Sequence, residues 1–220
     1  MSDHELLTKA MYLYKIQMDK HARANNGAVT YLNQHSVLWG VQQQKSHEMG
    51  EHNYYGVCAG LAIEWVRATL KGDDFINKLN TARSEVMTQG KSKGVGKSSD
   101  ALFTGVADAH YEQKDVKAAF KSVANCNKDV SSNYPFGGAD KHFSKGCFYY
   151  ISTGSHATAA FCRGDTLDFY DPNVGLAKGV KKKMIGGYFK DCIEETFKLL
   201  GADVAGAKSK SLSILGFKPL

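Results

Sequence analysis

A cysteine, a histidine and an aspartate occur in this chain in an order that suits nucleophilic catalysis. Cys58 lies within residues 56–67 (GVCAGLAIEWVR), at the first turn of a predicted amphipathic helix. His156 and Asp171 follow much later, in the segments GSH and DPN. A thiolate is a strong nucleophile, an imidazole can take its proton, and a carboxylate can orient the imidazole. The combination indicates a thiol protease or a close chemical relative.

The position of Cys58 favours a reactive thiol. The unpaired N–H groups and the dipole at a helix N-terminus stabilise the thiolate form. Gly56 leaves room for a substrate backbone to approach. The alternative is a buried structural cysteine, because free cysteine packs like a small apolar side chain.

A predicted hairpin can bring His156 and Asp171 together. Residues 156–162 and 166–171 flank a turn at residues 163–165. With Arg163 and Gly164 as the central turn residues, His156 and Asp171 are directly opposite, with Cβ atoms ~5 Å apart. With Gly164 and Asp165 at the centre, they are diagonal but still on one face. The alternatives are a hydrogen-bonded strand histidine and a turn-forming aspartate.

An oxyanion hole would complete such a site. The backbone N–H of Cys58 is one natural donor, and a side-chain amide shortly before the cysteine is the usual second. Asn53 is the best candidate for that amide, although a plain loop role is an equal alternative. The glutamines at 42–44 are further away.

Three short blocks resemble the YopT/AvrPphB family of papain-like cysteine proteases, which are bacterial effectors. The first is the G-x-C-x-x-L-x-x-x-W block around Cys58, the second is the S-H-A block around His156, and the third is the F-x-D-P-N-x-G block around Asp171. The resemblance implies Cys58 as nucleophile, His156 as general base and acid, and Asp171 as the residue that orients it. The oxyanion asparagine of the family falls at Asn53.

The same resemblance implies a papain-like α+β fold, in which a helical part with the nucleophile helix packs on a small antiparallel β-sheet. We expect one domain over residues 1–220 and no cofactor or metal. The resemblance further implies delivery into another cell and action in the cytoplasm of that target cell. The polar and acidic start of the sequence, MSDHE, predicts export by a route without a cleaved signal peptide. The substrate would be a protein of a host or of a rival bacterium, and an immunity protein would then be a partner.

Composition sets wider limits. The chain has 220 residues, 43% of them hydrophobic, and a net charge of +6. A mildly basic charge selects no partner by itself, and nucleic acid is not expected. A lysine cluster could contact an anionic membrane surface, or it is simply solvated; it comprises Lys178, Lys181, Lys182 and Lys183. Five cysteines without a CxxC pair favour a reduced compartment and a free thiol.

Periodicity predicts helices first and strands later, which is typical of an α+β domain. Helices are predicted at 3–22, at 58–70, from 73 or 74 to 89, from 99 or 100 to about 124 with a break near Gly105, and at 188–200. Strands are predicted at 147–152, 156–162, 166–170 and 211–217. Residues 37–41 fit either a strand or a helical turn. Residues 90–98 are predicted to form a loop.

Two further segments only partly match known motifs. The GVGKS segment at 94–98 lacks the first glycine of a phosphate-binding loop, since residue 91 is lysine. The HEMGEH segment at 47–52 has its second histidine one position too late for a zinc motif. A glutamine deamidase or transglutaminase could use the same three residues, and an inactive binding module could retain them.

Overall fold

The protein is described by a computed structural model over residues 3–34, 36–37, 57–89, 97–133, 137–153, 156–200 and 211–220. Its helices are α1 (Asp3–Arg23), α2 (Cys58–Leu70), α3 (Phe75–Gln89), α4 (Lys97–Tyr111), α5 (Val116–Phe120) and α6 (Met184–Leu200). Its strands are β1 (Ala28–Tyr31), β2 (Ala124–Asn133), β3 (Phe148–Ser152), β4 (Ala157–Cys162), β5 (Thr166–Asp171), β6 (Gly175–Lys181) and β7 (Ser211–Pro219). Short 3₁₀ turns occur at Glu112–Asp115 and Ala139–His142.

The strands form one sheet in the order β1-β6-β5-β4-β3-β7-β2. Every neighbouring pair is antiparallel. The consecutive strands β3 to β6 are joined by short connections, as antiparallel neighbours allow. The last strand, β7, lies between β3 and β2 rather than at an edge.

Helices cover both faces of the sheet. One buried cluster joins α2, α3 and α4 to the face that carries Tyr150 and Tyr170. A second joins α1 and α6 to the opposite face, which carries Tyr149 and Phe169. Because both faces are buried, β3 and β4 consist almost entirely of buried residues instead of alternating with polar ones. This explains their continuous apolar sequence.

The helix α2, which begins at Cys58, packs closely on α4 at a glycine. A Cβ atom at Gly60 would lie 2.2 Å from the carbonyl oxygen of Val106. Only glycine fits there without moving one helix, so Gly60 sets the separation of α2 and α4 and helps fix where α2 begins.

The structure confirms most of the predicted elements. The observed α1, α2 and α3 agree with prediction to within a residue or two, and β3, β4, β5 and β7 are all present. The helix predicted from 99 or 100 begins at Lys97, within the predicted loop at 90–98; the remainder of that loop is outside the described residues. Of residues 37–41, only Val37 is described, and it is helical.

Four predictions were wrong. The helix α4 is not broken at Gly105, since the cost of one glycine, about 1 kcal/mol, is offset by packing. Helical structure stops at Phe120, and Ala124 already begins β2. The helix α6 begins at Met184 rather than at 188. The sheet is not small, because the predicted strands are joined by β1, β2 and β6.

The three missed strands have weak sequence signals. β1 has four residues, β2 is rich in asparagine and serine, and β6 contains two glycines and two lysines. Strand preference mainly reflects packing against neighbours, and these segments gain it from β6, β7 and β5 respectively. Within the described residues, no helix is long and apolar enough to cross a membrane.

Candidate active site

Cys58 is the first residue of α2, at the mouth of a cleft. The preceding residue, Val57, is the N-cap and has no side-chain capping bond. The first N–H groups of an α-helix lack partners within the helix, and they point towards the thiol end of α2. The thiol is partly buried. The helix itself is rich in alanine and leucine, and most of its residues are buried against the sheet and α4.

His156 immediately precedes β4, and Asp171 is the last residue of β5. The register pairs Ala159 with Tyr170 and Cys162 with Leu167, and Arg163 N donates to the Thr166 carbonyl at 2.9 Å. The central turn residues are therefore 164 and 165, the second of the two predicted alternatives, and His156 is diagonal to Asp171. Their side chains meet, with Nε2 of His156 2.8 Å from Oδ1 of Asp171.

The Asp171 carboxylate is completely buried and receives three hydrogen bonds. Oδ1 is bonded to His156 Nε2 and also accepts from the backbone N–H of Asn173 at 2.8 Å. Oδ2 accepts from the hydroxyl of Tyr188 on α6 at 2.5 Å. Both oxygens of this buried carboxylate therefore have hydrogen-bond donors, which offset the cost of its burial.

The thiol of Cys58 and the imidazole of His156 line the same cleft and shift each other's pKa. Burial raises the pKa of the Cys58 thiol, but the neighbouring imidazole of His156 and the N–H of Ala157 outweigh it, so that the pKa is lowered. Burial lowers the pKa of His156, but Asp171 and then Cys58 raise it to about 10. Since Nε2 faces Asp171, Nδ1 is the ring nitrogen left for the thiol. The arrangement favours thiolate and imidazolium.

The cleft in front of Cys58 has a volume of about 490 Å³. Cys58, His156 and Ala157 line one part of it, and Tyr150 and Leu215 of the sheet form another. Charged residues of the 3₁₀ turn, α5 and β2 line the remainder, including the ion pair between Lys117 and Asp129. The cleft is open enough to admit a polypeptide segment.

The predicted oxyanion residue Asn53 lies outside the described residues, as do the glutamines at 42–44. A glutamine that the sequence did not single out, Gln34, contacts Val57, the residue before Cys58. Its Oε1 accepts from Val57 N at 2.7 Å, and its Nε2 donates to Asn173 Oδ1 at 2.6 Å. Because a backbone N–H only donates, Oε1 must face Val57. Gln34 therefore connects the start of α2 with the turn after Asp171.

Two residues of the site were missed by sequence reasoning for different reasons. Gln34 belongs to no motif, and its distance from Cys58 in the sequence gives no signal. Tyr188 was assigned to the apolar face of its helix, where its ring does lie, but its hydroxyl contact with Asp171 depends on tertiary structure.

The predicted lysine cluster lies on β6 and in the turn that follows it. Lys178, Lys181 and Lys183 are exposed, whereas Lys182 donates to the carbonyl of Phe143 at 3.0 Å. Among the described residues, no group of three or more His, Cys, Asp or Glu side chains is placed to hold a metal ion.

Comparisons with known proteins support the fold. No protein-family model and no curated protein matches the chain. Similar solved structures include PatoxP, a cysteine protease-like domain of the Photorhabdus asymbiotica toxin PaTox, with 14% identity and a TM-score of 0.51 over 96% of this chain. They also include the Pseudomonas avirulence protein AvrPphB, with 14% identity and a TM-score of 0.39, covering 76% of this chain and 93% of that one.

The chain spans 60% of the PatoxP structure that it matches. The alignment with AvrPphB is too weak at its TM-score to add to the assignment. At 14% identity, the similarity to PatoxP concerns the fold alone. The chain therefore has an α+β, papain-like fold, the fold of a cysteine protease-like domain.

Proposed function

We propose that this chain is a cysteine endopeptidase, with Cys58 as nucleophile, His156 as general base and acid, and Asp171 as the residue that orients His156. One observation carries the proposal: an imidazole that is hydrogen-bonded to a buried carboxylate lines the same cleft as a thiol whose pKa it lowers. The lowered pKa of Cys58 gives the chemical reason for its reactivity.

The reaction follows from these positions. The Cys58 thiolate attacks the carbonyl carbon of a peptide bond in the cleft and forms a tetrahedral intermediate. His156, protonated at Nδ1, then donates its proton to the leaving amine as the C–N bond breaks. His156 next takes a proton from water, the hydroxide attacks the thioester, and Cys58 leaves as the thiolate. Asp171 stabilises the imidazolium throughout.

The oxyanion of the intermediate needs donors. The backbone N–H of Cys58 is free of partners within its helix by position, and it adjoins the attacking sulfur. We assign the second donor to the side-chain amide of Asn53.

We place this activity in a bacterial effector or toxin that is delivered into a target cell and cleaves a specific protein in its cytoplasm. The fold it shares with a domain of a toxin supports this setting. A host protein and a protein of a rival bacterium are the two possible substrate classes, and an immunity protein would accompany the second. Toxicity on expression in bacteria, abolished by Cys58→Ser, would identify the second.

The membrane contact is a separate part of the proposal. Lys178, Lys181 and Lys183 are exposed and close in sequence, so that they can approach anionic headgroups together. Binding to vesicles that contain phosphatidylserine should fall when these three lysines are replaced by glutamine. Binding to neutral vesicles should be weak for both the wild type and this triple variant.

The decisive experiment adds either the wild-type chain or Cys58→Ala to a target-cell lysate. The new protein N-termini that appear in the two samples are then mapped and compared. We expect termini that depend on the wild-type chain and that are absent with both Cys58→Ala and His156→Ala, while circular dichroism shows that both variants fold. Conversion of glutamine to glutamate without new termini would reassign the chain as a deamidase. Cleavage that persists in Cys58→Ala would refute the mechanism.

A further inference from the structure

Tyr188 contacts the side of Asp171 that faces away from the proposed catalytic histidine. It lies in the first turns of α6 and is completely buried. Its hydroxyl is 2.5 Å from Oδ2 of Asp171, whereas Oδ1 takes the bonds from His156 and Asn173. In the part of the chain that the structure describes, no other hydrogen bond reaches Oδ2.

The hydroxyl of Tyr188 acts as a donor in this contact. Burial raises its pKa well above the ordinary value, and the charge of Asp171 raises it further. The phenol is therefore protonated at neutral pH. An ionised carboxylate can only accept, so the proton lies on the tyrosine oxygen and points to Oδ2.

The ring of Tyr188 is held on several sides. The ring of Phe169 packs edge-on at 5.3 Å between centroids, and that of Tyr14 on α1 at 6.3 Å. The same Tyr14 ring packs edge-on against His156 at 5.3 Å. Packing against β5 and α1 leaves the hydroxyl little freedom, so its direction is fixed before substrate binds.

A fixed donor on Oδ2 determines the orientation of the carboxylate. The terminal torsion of an aspartate is broad and roughly two-fold, so packing alone does not set it. With Oδ2 held by Tyr188 and Oδ1 held by Asn173 N, the lone pairs of Oδ1 are directed at His156 Nε2. The imidazole in turn keeps Nδ1 towards Cys58.

We propose that Tyr188 is a positioning residue for the reaction of Cys58: its hydroxyl holds the Asp171 carboxylate in the one orientation that stabilises the imidazolium of His156. The inference rests on the proposed function and extends it to α6, which contributes no residue to the lining of the cleft. Tyr188 therefore affects the chemical step and not the binding of substrate.

The test uses alkylation of Cys58 by iodoacetamide, which needs no substrate. Exposed Cys126, read in the same mass spectra, is the internal reference. Tyr188→Phe removes only the hydroxyl, and loss of a hydrogen bond to a charged group is expected to lower the Cys58 rate at pH 6 about 10- to 100-fold. The titratable groups that face Asp171 and are present in all variants are Tyr14, Cys58, His156, Tyr170 and Cys192.

Tyr149→Phe is the matched control. Tyr149 is also a buried tyrosine whose hydroxyl is hydrogen-bonded, in this case to the backbone N–H of Ser144, and it lies outside the site. We expect its Cys58 rate to equal that of the wild type. Equal Cys58 rates in Tyr188→Phe, Tyr149→Phe and wild type would overturn the proposal.

A double variant separates positioning from general structural support. In an Asp171→Asn background, the charged acceptor of Tyr188 is absent, so that adding Tyr188→Phe should lower the rate less than twofold. A full additional loss would mean that Tyr188 supports the fold and does not act through Asp171. If Tyr188→Phe does not fold, 4-aminophenylalanine at this position keeps the ring with a weaker donor, and an unchanged Cys58 rate would then overturn the proposal.

The outcomes also separate this inference from the proposed function. A peptide substrate, once found, should show a lower kcat and an unchanged KM for Tyr188→Phe. Selective Cys58 labelling that depends on Tyr188, in a protein that cleaves no peptide bond, would support the inference and refute the peptidase. Wild-type Cys58 that reacts no faster than Cys126 would overturn both.

Discussion

The charge of Asp171 should be the main reason that Cys58 is reactive below neutral pH. The substitution Asp171→Asn tests this, since it keeps the size and shape of the side chain. Its amide oxygen can still accept from His156 and from Asn173 N, and its NH₂ group can donate to the hydroxyl of Tyr188. The change therefore removes a buried charge with little change in geometry.

The expected size of the effect follows from burial and pairing. The pKa of His156 is raised from 6.5 to about 10, and Asp171 is the first of the groups that raise it. Removal of one partner of a buried ion pair costs about 3–5 kcal/mol, or more than 100-fold in an equilibrium. Without Asp171, burial would lower the pKa of His156, and the thiol would lose its cationic partner.

Cys58 would then react like an ordinary thiol. Such a thiol, with a pKa of about 8.5, is only about 0.3% thiolate at pH 6. We expect the iodoacetamide rate of Cys58 in Asp171→Asn to fall about 100-fold at pH 6 and less than about tenfold at pH 9, where an ordinary thiol ionises by itself. The assay is the ratio of Cys58 to Cys126 labelling by mass spectrometry from pH 5 to 9.

The matched control is Asp168→Asn on the same strand. Asp168 is also buried, but it pairs with Arg163 at 2.6 Å and accepts from Gly179 N, so that it takes no part in the site. Its Cys58 labelling should follow the wild type at every pH. A labelling ratio at pH 6 that is the same in Asp171→Asn and wild type would refute the reasoning.

Three further predictions concern stability and the supporting contacts. Gly60→Ala should lower the free energy of unfolding by at least about 3 kcal/mol in denaturant melts, because the new methyl overlaps a carbonyl oxygen of α4. His156 has a raised pKa, so its proton contributes fully to the free energy of unfolding below pH 6.5, and this contribution is lost as the pH rises through about 10. Cys58 has a lowered pKa, so its thiolate contributes fully above pH 9, and this contribution decreases as the pH falls. Cys58→Ala should therefore lose stability more steeply than wild type between pH 6.5 and 9. Gln34→Met, which removes both of its side-chain hydrogen bonds, should slow Cys58 alkylation by about tenfold.

The glycine and the glutamine predictions each have a control variant within the chain, and the pH prediction is compared with the wild type. Gly105→Ala places its methyl at an ordinary 3.5 Å from Glu64 and should leave stability unchanged or raise it by up to about 1 kcal/mol. Gln17 is a buried glutamine of α1, outside the site, so Gln17→Met should leave Cys58 alkylation unchanged. The first prediction would be contradicted by equal free energies of unfolding for Gly60→Ala and Gly105→Ala. The second would be contradicted if the stability of Cys58→Ala and of the wild type had the same pH dependence. The third would be contradicted by equal Cys58 labelling in Gln34→Met and Gln17→Met.

The parts of the site that could be predicted from the sequence are those set by local structure. The start of α2 at Cys58 follows from helix periodicity, and the approach of His156 to Asp171 follows from a short hairpin whose register depends on one turn. Both are determined by neighbouring residues, so that a pattern in one window is sufficient.

The parts that could not be predicted depend on contacts between distant segments. Gln34 contacts Val57 and Asn173 only once β1 has paired with β6 and has brought the loop that follows it to the sheet. Tyr188 has the same apolar periodicity as its neighbours, and its hydroxyl gains a partner only through the docking of α6. The strand β2 is polar by sequence and is recognisable only through its pairing with β7.

The insertion of β7 between β3 and β2 has a consequence for when the protein can act. Leu215 of β7 forms part of the cleft wall, and β2 has β7 as its sheet neighbour. A nascent chain that has passed α6 already holds the sulfur, imidazole and carboxyl groups but not the surface on which a substrate would rest. The wall of this groove is therefore complete only once synthesis has passed residue 219 and β7 has paired with β3 and β2.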